Sequence, residues 1–177
     1  GGLTQAAVVV LDNERCDVLT LVGSTDWWEA SVNGATAPRQ PGSALKPFTY
    51  AVAFEHGFHP ASVVADVPTR YLGGDGQLMR PRNYSERFSG PVLAGEAMGR
   101  SLNVPAVRLA NAAGISEVLD TLRTAGFSTL SDDVDHYGLG LTLGNGEVTL
   151  MDLAQGYAAF ARGGQTCTAR RTDADPV

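Results

Sequence analysis

The sequence predicts an α+β protein, with an N-terminal antiparallel hairpin followed by a mostly helical remainder. Two observations carry that reading. Ala6 to Leu11 (AAVVVL) and Val18 to Val22 (VLTLV) are short β-branched runs separated by the polar turn segment Asp12-Asn13-Glu14-Arg15. From Pro41 onward, apolar residues recur in blocks at helical spacing. With 177 residues, 44% of them apolar and 18% charged, the chain can build one ordinary core or part of a larger one, and the composition argues against disorder.

Taken in order, the hairpin (residues 5–23) is only marginally stable alone, so a helix or further strands must cover it. Gly23 to Gln40 lacks periodicity and reads as a loop, in which Trp27-Trp28 is expected to cover the sheet end rather than line a cleft. Residues 41–57 form the next element. Proline is tolerated in a first turn, and Ala44, Leu45, Phe48, Ala51, Val52 and Phe54 then make a helix apolar nearly all round, hence central and buried. Pro60 to Pro91 is a long connection containing Asp66-Val67-Pro68-Thr69 and Arg80-Pro81-Arg82-Asn83-Tyr84; such a connection is functional or wraps a neighbour. Val92 to Arg100 is helical. Ser101 to Pro105 interrupts it, because a residue before proline is pushed out of the α region. Helices follow at Ala106 to Ala113 and at Ile115 to Ala125, the latter closed by Gly126. Tyr137 to Gly146 is glycine-rich but lacks G-x-G-x-x-G and the P-loop pattern, so it is not a phosphate cradle. Thr149 and Asp152 form a capping box for a final helix, Leu150 to Arg162, ended by Gly163-Gly164. Residues 60–164 are thus mainly helical, and residues 165–177 read as a frayed tail, polar from Ala169 to Val177.

Composition removes several function classes. A net charge of −6 with pI near 4.9 and scattered basic residues argue against a nucleic-acid partner or a membrane-surface patch. No apolar run approaches the ~18 residues of a bilayer span. No secretory signal is read in the sequence, and the abrupt Gly1-Gly2 start leads to the expectation of an excised piece. Cys16 and Cys167 match no metal-ligand spacing; they pair in an oxidising compartment or stay free, and two ordinary thiols are the favoured reading. Neither a metal nor a cofactor is called for.

Chemistry concentrates in Arg39-Gln40-Pro41-Gly42-Ser43-Ala44-Leu45-Lys46-Pro47-Phe48. Residues three apart share a helix face, so the Lys46 amine can sit beside the Ser43 hydroxyl as its proton acceptor. S-x-x-K alone is a weak pattern. Its weight here comes from Lys46 being the single lysine against twelve arginines. Arginine stays protonated, whereas a buried lysine can lose its charge and act as a base. At a helix N-terminus, Ser43 would also place a developing oxyanion near unpaired amides. The plainer alternative is a solvated lysine and a first-turn serine. Ser101 and Asn103 can point into one cleft, or simply cap and turn into the next helix; Ser31-Val32-Asn33 matches S-x-N equally well.

With these pieces in place, the chain resembles the transpeptidase domain of class A penicillin-binding proteins, nearest the 1C subgroup. RQPGSALKPF, GRSLNVPAV (Gly99 to Val107) and YGLGLTLGNGEVTLMDLAQGYAAFARGG (Tyr137 to Gly164) carry the resemblance, in the family's order and over roughly Gln5 to Gly164. It assigns the S-x-N position to Ser101 and Asn103. It implies a β-lactamase/transpeptidase-like fold, an antiparallel sheet beside a helical subdomain. It also implies a D,D-transpeptidase in which Ser43 attacks the penultimate D-Ala carbonyl of a peptidoglycan stem peptide. Lys46 would accept the Ser43 proton, Ser101 would relay a proton to the departing D-Ala, and Asn103 would hydrogen-bond the substrate amide. β-Lactams would acylate Ser43. The implied location is outside the cytoplasm, in a membrane-anchored parent.

One departure stands out: with a single lysine the chain has no K-T-G motif, and Arg171-Thr172-Asp173 lacks its glycine. The expectation is an incomplete, C-terminally truncated domain of impaired activity, with an exposed sheet edge that promotes self-association. A non-catalytic binding fragment is the alternative from a different class. A serine β-lactamase ranks lower, because no acidic base stands out to activate a deacylating water.

Overall fold

The computed structural model describes residues 4–26, 28, 31–72 and 78–171. These residues are mixed α+β, with small antiparallel sheets and six helices. They cluster into two compact units: one of residues 1–39, 122–130 and 147–177, the other of 40–121 and 131–146.

In the first unit, β1 (Val8–Leu11) pairs antiparallel with β2 (Val18–Val22), Val8 opposite Val22, with a register shift between Val10 and Leu11. The cover that a lone hairpin requires is helix α6 (Leu150–Ala161), packed on β1. Its N-terminus is the expected capping box: the Thr149 hydroxyl accepts from the Asp152 amide at 2.9 Å, and Asp152 Oδ2 accepts from the Thr149 amide at 3.4 Å.

Three expectations fail in this unit. Cys16 and Cys167 are joined as a disulfide, 151 residues apart in sequence. Closing so long a loop removes unfolded-state entropy worth about 3–5 kcal/mol. Segment 169–171 is not frayed: Arg170 N–H donates to Cys16 O at 2.9 Å, Val18 N–H donates to Arg170 O at 2.8 Å, and the Arg170 guanidinium reaches the buried Asp17 carboxylate at 2.9 Å. The crosslink explains this, because it brings backbone partners to a segment that sequence composition marks as free. Trp28 is 91% exposed and covers nothing, while Trp27 and residues 172–177 lie outside the described residues.

The second unit is built on α1 (Lys46–Glu55), which packs against α3 (Asn103–Ala113). Phe48, Tyr50, Val52 and Ala53 from α1 and Val104, Val107, Leu109 and Ala110 from α3 are buried. Among the described residues, the stretch read as an aperiodic connection contains or runs into four short strands. These are β3 (Val63–Asp66) paired with β6 (Gly90–Leu93), and β4 (Tyr71–Leu72) paired with β5 (Leu78–Met79). Strands of two to four residues are too brief to show an alternation. Val92 accordingly belongs to β6, and helix α2 spans only Ala94–Gly99. Pro105 does not delay α3, which starts at Asn103. The amides of a first turn have no acceptor within the helix, so proline there forfeits no hydrogen bond. The remaining helices are α4 (Ile115–Thr124) and the short α5 (Val134–Tyr137), followed by a 3₁₀ turn over Gly138–Leu143.

Candidate active site

Ser43 lies in a 3₁₀ turn, Gly42–Leu45, that runs directly into α1 at Lys46. In a 3₁₀ turn, residues three apart are eclipsed, so Ser43 and Lys46 share one face. The Lys46 amide donates to Ser43 O, closing that turn. Pro47 follows at the second helical position, where its missing N–H costs nothing. Ser43 is exposed, whereas Lys46 is 2% exposed.

Two positive-φ glycines set this turn. Gly42 has φ +58° just before Ser43, and Gly144, at φ +84°, ends the 3₁₀ turn Gly138–Leu143. A Cβ on Gly144 would stand 2.3–2.5 Å from the backbone N, O and Cα of Gly42. No real Cβ tolerates that approach. The glycine-rich stretch therefore serves close backbone contact behind the Ser43 turn. Gly144→Ala is expected to cost about 2 kcal/mol or more in urea unfolding, from αL strain plus overpacking. A loss below ~0.5 kcal/mol would show that the contact is dispensable. Nearby, the buried Thr49 and Thr142 hydroxyls hydrogen-bond to each other, joining α1 to the same turn.

Opposite Lys46 stands the segment from α2 to α3. Ser101 adopts φ +54°, a left-handed conformation uncommon for a residue with a Cβ and costing on the order of 1 kcal/mol. Lys46 Nζ donates to Ser101 O at 2.6 Å and to Asn103 Oδ1 at 2.6 Å, and lies 3.2 Å from Ser101 Oγ. Ser101 does not cap α3, whose N-cap is Leu102 without a side-chain cap bond. Burial lowers the Lys46 pKa from its ordinary 10.5 to about 8, since the charged form loses its hydration. A neutral amine has two N–H donors and one lone pair. Ser101 O and Asn103 Oδ1, both pure acceptors, can take the two hydrogens, leaving the lone pair for a hydroxyl. Lys46, Ser101 and Asn103 are thus brought into one hydrogen-bonded cluster. Ser43 is placed on the Lys46 face by the 3₁₀ turn and takes no part in that set of bonds.

Asn103 is fixed from its other end, because its Nδ2 donates to Arg82 O at 2.7 Å. One further acceptor site on Oδ1 and one further hydrogen on Nδ2 remain for a ligand. Asn33, the competing S-x-N match, uses Oδ1 to accept from the Ala35 amide at 3.0 Å, an ordinary turn bond.

Sequence reasoning missed a buried support. Asn83 Oδ1 accepts from the Asn103 amide at 2.9 Å and the Val104 amide at 3.3 Å, capping α3 from twenty residues away. Its Nδ2 donates to both oxygens of the fully buried Asp66 carboxylate, at 2.8 and 3.0 Å, and to Arg87 O at 2.9 Å. The Ser89 amide adds a 2.8 Å bond to Asp66 Oδ2. The one available signal was Asn83 itself, a polar residue beside Pro81 in a connection too long to be structureless.

Comparison with known proteins gives a consistent result. Residues 6–174 match the family model described as the penicillin binding protein transpeptidase domain. The chain is 38% identical over 176 residues to penicillin-binding protein 1C of Escherichia coli (strain K12), covering 97% of this chain and 22% of that protein. It is 34% identical over 165 residues to penicillin-binding protein 1A of Neisseria lactamica, covering 92% of this chain and 20% of the relative. Among solved structures, penicillin-binding protein 1A from Haemophilus influenzae is similar at TM-score 0.79 and 31% identity, over 88% of this chain and 23% of that one. PonA1 from Mycobacterium tuberculosis, solved in complex with penicillin V, is similar at TM-score 0.73 and 26% identity, over 89% of this chain and 44% of that one. The chain spans about a fifth of the length of these curated relatives.

Proposed function

The chain belongs to the penicillin-binding protein transpeptidase family, and on that premise we propose that Ser43, Lys46, Ser101 and Asn103 are its share of a serine acyl-transfer site for peptidoglycan cross-linking. Ser43 Oγ attacks the carbonyl carbon of the penultimate D-Ala, and Lys46 Nζ takes the hydroxyl proton. The amide C–N bond then breaks. The departing D-Ala amine takes a proton passed through Ser101, leaving a Ser43 ester. An amine from a second stem peptide attacks that ester, forms the new amide and returns the proton to Ser43. A β-lactam enters by the same first step: its ring C–N bond opens, but the nitrogen stays tethered and the ester persists.

The observation that supports this most is the buried Lys46 amine, without a carboxylate partner among the described residues, held 2.6 Å from Ser101 O and 2.6 Å from Asn103 Oδ1 with its pKa lowered to about 8. That is an environment for a proton acceptor rather than for a surface cation. The disulfide supports a location outside the cytoplasm, where such bonds persist. Among the described residues, no helix is long and apolar enough to cross a membrane.

The absence of K-T-G from the sequence favours a second reading, a fragment that binds without reacting. Intact-mass measurement after incubation with a penicillin decides between them. A gain equal to the drug's mass, absent in Ser43→Ala, is expected. A folded sample that gains no mass would sink the acyl-transfer reading for these 177 residues. Repeated turnover of a chromogenic β-lactam would instead indicate a β-lactamase.

A further inference from the structure

Next to Asn103, but separate from the Ser43–Lys46 pair, lies a cleft of about 590 Å³. Its lining includes Thr69, Arg70, Arg80, Arg82, Glu86 and Phe88. Arg70, Arg80 and Arg82 thus line one cavity together with a single acidic residue, Glu86. That carboxylate is already engaged, since Glu86 Oε2 accepts from Arg82 NH1 at 3.0 Å. Arg70 and Arg80 are exposed and have no carboxylate partner among the described residues. The charge is concentrated against the trend of the molecule: the whole chain carries −6, yet six of its twelve arginines fall between positions 70 and 108.

The cleft is also built rather than incidental. Arg108, from α3, donates through Nε to Ala65 O at 3.0 Å and through NH2 to Thr69 Oγ1 at 2.6 Å, which fixes the Thr69 wall. Arg82 connects the cleft to the candidate site, because its carbonyl oxygen takes the Asn103 Nδ2 hydrogen at 2.7 Å. Phe88, 39% exposed, offers an apolar surface beside the cations.

We propose that this arginine-lined cleft binds carboxylates of the peptide that passes Asn103, so that Arg70 and Arg80 select a stem peptide with free side-chain carboxylates over an amidated one. The inference rests on the transpeptidase reading for the identity of the peptide. Its chemistry rests on the cleft alone: planar guanidinium groups pair with carboxylates through two parallel N–H donors, which makes arginine discriminate a carboxylate from an amide. Solvent exposure keeps each pair modest, and two together are worth about tenfold in affinity.

The test uses calorimetry on the full chain with a soluble stem peptide ending in D-Ala-D-Ala, its other carboxylates free, beside the same peptide with those carboxylates amidated. The free form is expected to bind about tenfold more tightly, with a preference that shrinks at high salt. An Arg70→Gln, Arg80→Gln double variant, altering two exposed side chains that do not touch Lys46, should bind both peptides alike. Equal affinity in the unaltered chain, or no measurable binding of either peptide, overturns the cleft assignment. Penicillin acylation of Ser43 is scored on the same samples. An acylated protein without carboxylate preference defeats this inference alone. A carboxylate preference without acylation supports the cleft while defeating the catalytic reading.

Discussion

Replacing Lys46 by arginine is expected to slow acylation by a penicillin by about 10³-fold, although the positive charge is retained. The guanidinium cannot give up its proton at any accessible pH, so the substitution removes the base and leaves the electrostatics. The pH profile of the unaltered chain carries the same argument with a sign. Only the unprotonated amine can accept the Ser43 proton, and that fraction grows as pH rises through about 8. Near pH 7 it is roughly a tenth. Acylation should therefore climb about tenfold per pH unit below 7 and level off above 8.5. Stability moves in step. Between the folded value of about 8 and the ordinary 10.5, the unfolded chain binds more protons than the folded one, so unfolding becomes harder as pH rises through that window. An acylation rate that is flat from pH 6 to 9, or a Lys46→Arg variant reacting at an unchanged rate, would mean that Lys46 acts as a fixed charge and that the base lies elsewhere.

The proposed base was legible in the sequence because its signals are local or compositional. Ser43 and Lys46 stand three residues apart, and a single lysine among arginines is visible by counting. The apolar periodicity of α1 and the Thr149–Asp152 box are equally short-range; α1 spans Lys46–Glu55 within the 41–57 stretch, and the helix after the box spans Leu150–Ala161. What could not be read is what distant residues do to each other. Ser101 and Asn103 were distinguished from Ser31 and Asn33 only by family resemblance, since both pairs satisfy S-x-N. Their union with Lys46 spans 55 and 57 residues and leaves no periodic trace. The disulfide, over 151 residues, is the extreme case. It also explains why a polar tail that looks free holds backbone hydrogen bonds as far as Arg170. The strands between Val63 and Leu93 are hidden for a different reason: they are too short for a period of two to register.

The least legible group is the one with the largest expected effect on stability. Asn83→Ala should cost about 3–5 kcal/mol in urea unfolding. It strips the buried Asp66 carboxylate of two of its three bonds and leaves the Asn103 and Val104 amides without their acceptor. A loss below ~1 kcal/mol would show that water replaces the side chain at no real penalty. The functional consequence follows from geometry. Asn83 holds the first amide of α3, Asn103 holds Lys46, and Lys46 owes its lowered pKa to a tightly closed environment. Loosening the α3 terminus admits water to the amine, which favours its charged form and moves its pKa back toward 10.5. The midpoint of the acylation pH profile should therefore shift upward in Asn83→Ala, with a lower rate at pH 7 and partial recovery at pH 9. Leu119→Ala, a buried truncation on α4 of comparable cost, separates this from general loosening, because it removes packing without touching the Asn83 bonds. If both variants keep the midpoint near 8, Asn83 is structural support only; if Asn83→Ala alone moves it, Asn83 is a positioning residue acting through Asn103 on the base.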